Sequence, residues 1–351
     1  MNESIFKAAL RRLFMVMATV VGVLLGFFVI SGFFSLFFTK NTSNPEVKQT
    51  LNAEIMPNAL GIRKAYSNDD PIILKIKIDG VIGLETLNRD VVARQLMESR
   101  EGIFDDDRVK GILLSINSPG GTVTDSDTIY RILKNYKEHY KTPIFAHIDG
   151  LCASGGMYIA CAADQIYATE SSIIGSVGVI APPAFNFTNL MQKVGVDSLT
   201  LKAGKDKDEL NPFRPWAPDE GENYQSIITA CYDIFLDVMT TNRKEVSKEK
   251  LISEYGAKIF TAQKAEEIGY IDGGNKSYSQ TLAMLAERIG AKDDKYQVIE
   301  LTEDNWLRSL FKGTNNVQLM SGTITHRIEL PGQIDARLSN QYLYLYRSDQ
   351  R

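Results

Sequence analysis

The stretch Pro143-Ile-Phe-Ala-His-Ile-Asp-Gly-Leu-Cys-Ala-Ser-Gly-Gly-Met-Tyr158 sets the fold. Its first half is a short, nearly all-apolar run of the kind found in a strand covered on both faces, as in a parallel sheet. At Ser154 the pattern turns helical. Ala153, Gly155 and Gly156 leave little bulk around the serine hydroxyl, and the first amides of the following helix point unpaired at any oxyanion formed beside it. The plain alternative is a helix N-cap, a place serine takes routinely.

The same alternation continues on both sides. Upstream, Pro71 to Asp79 predicts a strand, Thr86 to Glu101 a helix, Gly111 to Asn117 a second buried strand, and Thr122 to Tyr140 a helix. Between the last two lies the breaker Ser118-Pro-Gly-Gly121. Downstream, Gln165 to Ala168 and Gly175 to Ile180 read as strands, Thr188 to Val194 and Glu222 to Arg243 as helices, and Tyr278 to Ile289 as the last helix of the domain. Strands alternating with helices of this length imply a parallel α/β sheet with right-handed crossovers, whose ligands bind at the carboxyl ends of the strands. Both glycine-rich turns fall at such ends.

Leu13 to Phe38 is 26 residues without a charge, longer than the roughly 20 needed to span a bilayer. Lys7, Arg11 and Arg12 on its amino side place residues 1–12 in the cytoplasm and the bulk of the chain across the membrane. The expected organisation is a transmembrane anchor at 13–38, a polar linker at 39–70, a catalytic domain at 71–290 and a tail at 291–351 without an assigned role. In bacterial terms the anchor belongs in the inner membrane, with the domain on the periplasmic or extracytoplasmic side.

The chain has 351 residues, 44% hydrophobic and 23% charged, with a net charge of −4. No basic run interleaved with aromatics suggests nucleic acid. Cys152, Cys161 and Cys231 lack zinc or disulfide spacing, so no metal site is expected and they read as small apolar residues. A nucleophilic serine needs a base. The three histidines serve poorly: His147 sits inside an apolar strand, His139 in a charged helix end and His326 in the tail. Lysine is left, as in Ser-Lys variants of the triad, and it must be desolvated or placed near a cation to act as a base. Lys202, Lys205 and Lys207 crowd one polar loop.

Four motifs in order, Asn117-Ser-Pro-Gly-Gly121, Ala153-Ser-Gly-Gly156, Gly175-Ser-Val-Gly-Val-Ile180 and the loop Lys202-Ala-Gly-Lys-Asp-Lys-Asp208 before Asn211-Pro212, resemble the signal peptide peptidase A (protease IV) family in its short, single-anchor form. The resemblance runs from about Ile72 to Gly274. It implies a crotonase/ClpP-like β-α-β superhelical core, a Ser/Lys dyad with Ser154 as nucleophile and Lys207 as base (Lys205 the alternative), Ser176 orienting the base, and an oxyanion hole from Gly121 and Gly155. It also implies remnant signal peptides and other apolar peptides as substrates, a ring of identical subunits and no cofactor. Competing readings are a crotonase-like acyl-CoA enzyme and an inactive anchored scaffold of the same fold.

Overall fold

The computed structural model describes residues 14–15, 17–19, 21–23, 25–26, 51–63, 65, 70–291, 295–302 and 343–345. The chain divides into two units, 1–50 and 51–351. In the first, the described positions between Phe14 and Gly26 are helical. The expected membrane span lies for the most part outside the described residues, and among those described no helix is long and apolar enough to cross a membrane.

The second unit is built on an eight-stranded sheet. In chain order its strands are β1 (Asn52–Met56), β2 (Ile72–Asp79), β3 (Val109–Ser118), β5 (Ile144–Ala153), β6 (Gln165–Ala168), β7 (Ile173–Gly175), β8 (Ile259–Thr261) and β9 (Gln297–Thr302). They lie in the order β1-β9-β2-β3-β5-β7-β8, with β6 also paired to β5. The centre is parallel as expected, but the sheet is mixed, because β1 runs antiparallel to β9 and β8 antiparallel to β7. A second, two-stranded sheet pairs β4 (Gly120–Thr122) with β10 (Leu343–Leu345).

Side-chain alternation divides the centre of the sheet between two cores. Ile72, Leu74, Ile76, Ile78, Ile112, Leu114, Ile116, Ile144, Ala146 and Ile148 belong to the larger cluster. There they meet the buried faces of α1 (Arg89–Glu98) and α2 (Val123–Tyr140), the latter burying Ile129, Leu133 and Tyr136 at helical spacing. Ile73, Leu113 and Phe145 point the other way, against Leu282, Leu285 and Ala286 of α7 (Tyr278–Arg288). Helix α7 starts at a capping box, Ser277 with Gln280, which satisfies two otherwise unpaired amides.

Two expectations on domain limits change. Asn52–Met56 of the supposed linker is an edge strand, and Gln297–Thr302 of the supposed tail lies inside the sheet between β1 and β2. Strand β9 is held by Glu300, whose carboxylate sits 3.3 Å from Lys75 Nζ and 2.7 Å from Lys77 Nζ on β2. The apolar residues of each strand are too few to announce it, since each is completed by a partner more than two hundred residues away in sequence.

His147 shares the α7 face of β5. It is buried, with Nδ1 3.0 Å from Thr281 Oγ1, Nε2 3.4 Å from Thr169 Oγ1 and the Tyr278 ring edge-on at 5.6 Å. Burial pulls its pKa from the ordinary 6.5 to about 4, against a smaller opposing effect of Asp149. Between those values the unfolded chain holds a proton that the folded one does not, so stability is full above pH 6.5 and falls as the pH drops toward 4. Urea titrations between pH 7 and 4 should show this loss, and His147→Gln should remove up to about 3 kcal/mol of the total change across that window. An unchanged slope in the variant would refute it.

Candidate active site

Strand β5 ends at Ala153, and the backbone turns at Ser154 into the short helix α3 (Gly155–Ala160), all of whose residues are buried. Ser154 has φ 55° and ψ −116°, a conformation that costs a non-glycine residue about 1–3 kcal/mol. Its amide donates to Gly175 O at 2.8 Å and its carbonyl accepts from Tyr158 N at 2.9 Å. The side chain makes no capping bond. The residue therefore holds the place of an N-cap without doing what a cap does. Its hydroxyl has no hydrogen-bond partner among the described residues.

Helix α3 presses on the Ser118–Gly121 turn. A Cβ on Gly156 would lie 3.1 Å from Ser118 O, and one on Gly121 only 1.9 Å from Ile82 O, so no side chain fits at Gly121 without moving the backbone. Ser118 secures the turn: Oγ donates to Gly80 O at 2.6 Å and accepts from Gly120 N at 3.1 Å. In the sequence Ser118 is only the first residue of the breaker, and nothing local marks this role. The turn runs into Thr122, which caps α2 by accepting from Asp125 N. Gly121, Ser154 and Gly155 are thus gathered at the carboxyl ends of β3 and β5.

Ser176 joins them. The expected strand Gly175–Ile180 ends at Gly175, because Gly175 (φ 135°) and Ser176 (φ 55°) turn the backbone away. Ala153 pairs with Gly175 in register, so Ser154 and Ser176 are the next residues of two adjacent strand ends. Ser176 is 7% exposed, and its amide donates to Lys258 O at 2.8 Å.

Lys207 is elsewhere in this chain. It lies on an exposed loop without regular structure, and neither Lys207 nor Lys205 is bonded to Ser154. The three lysines of the loop differ. Lys202 is paired with Asp208, Lys205 lies 3.9 Å from Asp206, and Lys207 has no ionic or hydrogen-bond partner among the described residues. His139 is exposed beside Tyr140, and His326 lies outside the described residues. Cys152 and Cys161 are fully buried, Cys231 half-buried, and all three are free thiols. No group of three or more potential metal ligands occurs among the described residues.

One neighbour of the site comes from the tail, where Tyr342, Tyr344 and Tyr346 alternate in the sequence without indicating a partner. Strand β10 runs antiparallel along Gly120–Thr122, and on its other side Leu343 exchanges both backbone hydrogen bonds with Ile180 at 3.0 Å. Leu343 is fully buried. The edge of the glycine turn thus accepts an extended peptide strand, here one from the chain's own tail.

A strand-to-helix elbow bearing a serine, set beside a glycine turn at the carboxyl edge of a largely parallel sheet, belongs to a ClpP-like α/β fold. The Clp protease family model matches residues 69–175 and the Peptidase family S49 model matches residues 137–292. A Synechocystis sp. protein bearing a protease name is 32% identical over 279 residues, covering 78% of this chain and 96% of that one. An Enterococcus faecium protein named as signal peptide peptidase SppA is 31% identical over 207 residues, 57% of this chain and 59% of its own length. The chloroplastic serine protease SPPA of Arabidopsis thaliana is 30% identical over 223 residues, 62% of this chain and 32% of that protein. The chain belongs to peptidase family S49, a family of serine peptidases.

Proposed function

We propose that this protein is a membrane-anchored serine endopeptidase in which Ser154 and Lys207 form a dyad. The observation that carries the reading is the Ser154 elbow, where strained backbone presents an uncapped hydroxyl beside two glycine turns. Neutral Lys207 Nζ takes the Oγ proton as Ser154 attacks a peptide carbonyl, and Ser176 orients the lysine. The oxyanion is met by the amides of Gly121 and Gly155. Collapse breaks the C–N bond, the leaving amine takes the proton from Lys207, and water activated by the same lysine releases the acyl group. No cofactor enters the reaction.

Lys207 comes from a neighbouring subunit in this reading. Residues 183–207 are exposed apart from half-buried Thr188 and Met191, and α4 (Thr188–Val194) has no buried residue. Phe185, Leu190, Val194, Leu199 and Leu201 stand 58–86% exposed. An apolar arm of that kind is suited to being covered by another copy of the chain, and the resulting homo-oligomeric ring delivers Lys207 of one subunit to Ser154 of the next.

Substrate lies as an extended strand on Gly120–Thr122, where β10 lies now. Ordering three tail residues costs about 3–6 kcal/mol of backbone entropy. Burying Leu343 returns about 1.5–3 kcal/mol, and each strand hydrogen bond about 0.5–1.5. The near balance leaves β10 displaceable by an apolar peptide, such as a remnant signal peptide left in the inner membrane. A fluorophosphonate tests the nucleophile: adduct on Ser154 is expected, and active protein that stays unlabelled there would overturn the assignment. Protease added outside the inner membrane should digest the domain in intact spheroplasts; digestion only after lysis would overturn the topology.

A further inference from the structure

The loop that carries Lys207 has no helix or strand to give it shape, yet one guanidinium binds it from two sides. Arg214 Nε donates to Asp208 Oδ2 at 3.0 Å and Nη2 to the Asp208 carbonyl at 2.9 Å, so the arginine holds both side chain and backbone of the residue next to Lys207. The same guanidinium makes a two-pronged contact with Glu220, Nη1 to Oε2 and Nη2 to Oε1, each 2.9 Å. Glu220 in turn accepts from the amides of Leu210 and Ala217. Arg214 above all, with those two amides, holds the Glu220 pKa down to about 2, so the carboxylate stays ionised. The loop so held is under strain: Asp206 and Leu210, on either side of Lys207, have φ of 58° and 60°. The Asp208 and Glu220 side chains that Arg214 joins are 10% and 6% exposed, and beside them Glu209 Oε1 accepts from Gly221 N at 3.0 Å.

The effect falls on the lysines unequally. Asp208 occupies Lys202, while Lys207, one residue away, is exposed and has no partner among the described residues. We propose that Arg214 is a positioning residue for Lys207: by clamping Asp208 to Glu220 it fixes the backbone on which Lys207 stands and keeps the adjacent Asp208 carboxylate engaged elsewhere. This rests on Lys207 being the base. Lysine cannot replace the arginine, since an ammonium lacks the planar fork that spans two carboxylates.

The test uses the full-length, membrane-extracted assembly and two readouts, steady-state cleavage of an apolar peptide and the rate of fluorophosphonate labelling of Ser154. Arg214→Gln should lower kcat by about 10–100-fold, the cost of misplacing a reacting group by about an ångström, with KM within about twofold and the assembly mass unchanged. Arg214→Lys should not restore the rate. Asp208→Asn, which keeps the carbonyl contact and the Glu220 clamp, should give a smaller loss. On a Lys207→Ala background, Arg214→Gln should slow labelling by less than about twofold, because residues that act through one another are not additive. An equal loss on both backgrounds, a kcat unchanged by Arg214→Gln, or a broken assembly would overturn the positioning role. Full labelling by Lys207→Ala alone would instead overturn the dyad beneath it, a result separate from any behaviour of Arg214.

Discussion

Ser154→Ala lowers peptide cleavage by on the order of 10⁴-fold or more and removes fluorophosphonate labelling, while the melting temperature moves by no more than about 4 °C. The size of the first effect follows from covalent catalysis, in which the Ser154 hydroxyl is the group that takes the acyl fragment. The smallness of the second follows from the structure. Among the described residues the hydroxyl has no partner and it caps nothing, so its loss leaves none of their buried donors or acceptors unsatisfied. The backbone bonds of Ser154 to Gly175 and Tyr158 remain in the variant, and so does the positive φ, which alanine tolerates no better than serine. A capping serine would behave in the opposite way, losing about 1 kcal/mol with little change in rate. Cleavage by Ser154→Ala within tenfold of the parent would remove the nucleophile from the mechanism.

Much of this site was legible because its parts are local. Gly155 and Gly156 follow Ser154 directly, and Gly121 closes a four-residue breaker between a buried strand and a capped helix, so each half of the site is a contiguous motif at a strand end. The central elements were legible for the same reason. Strands β2, β3 and β5 carry dense apolar runs, and the α2 stripe repeats at 3.6 residues. What local pattern does not encode is pairing at a distance. Strands β1 and β9 have too little apolar surface to stand out alone, and β10 becomes a strand only by lying against Gly120–Thr122 and Ile180. Ser176 read as mid-strand because Val177, Val179 and Ile180 after it favour strands, whereas positive φ at Gly175 and Ser176 ends the ladder there. Arg214 carried no signal, since its role is set by which carboxylates the folded loop brings within 3.0 Å.

Lys207→Ala is expected to cost activity nearly as much as loss of the serine, on the order of 10³-fold or more, whereas Lys205→Ala leaves activity within about threefold. Two residues apart on one polar loop, they differ in what the structure asks of them. Lys205 is 91% exposed at the side chain, with Asp206 3.9 Å from its amine, and an exposed pair of that kind contributes about 0–1 kcal/mol and holds nothing in place. The amine of Lys202 is already engaged by Asp208 and is not free to meet a serine hydroxyl. Lys207 has neither restraint and stands between two backbone turns braced by Arg214. In the single chain it is exposed. A lysine acts as a base only when its amine is desolvated or set near a cation, and under the proposed ring the apolar arm that bears Lys207 is what a second subunit would cover. Mixing Ser154→Ala and Lys207→Ala chains therefore distinguishes a dyad shared between subunits from one within a subunit. If shared, mixed rings contain some sites with both residues and recover activity, up to about a quarter of the parent at equal proportions when subunits mix at random. If the dyad lies within one chain, no mixture restores any site. Recovery by Lys207→Ala alone, or loss on Lys205→Ala, would transfer the base to the other lysine.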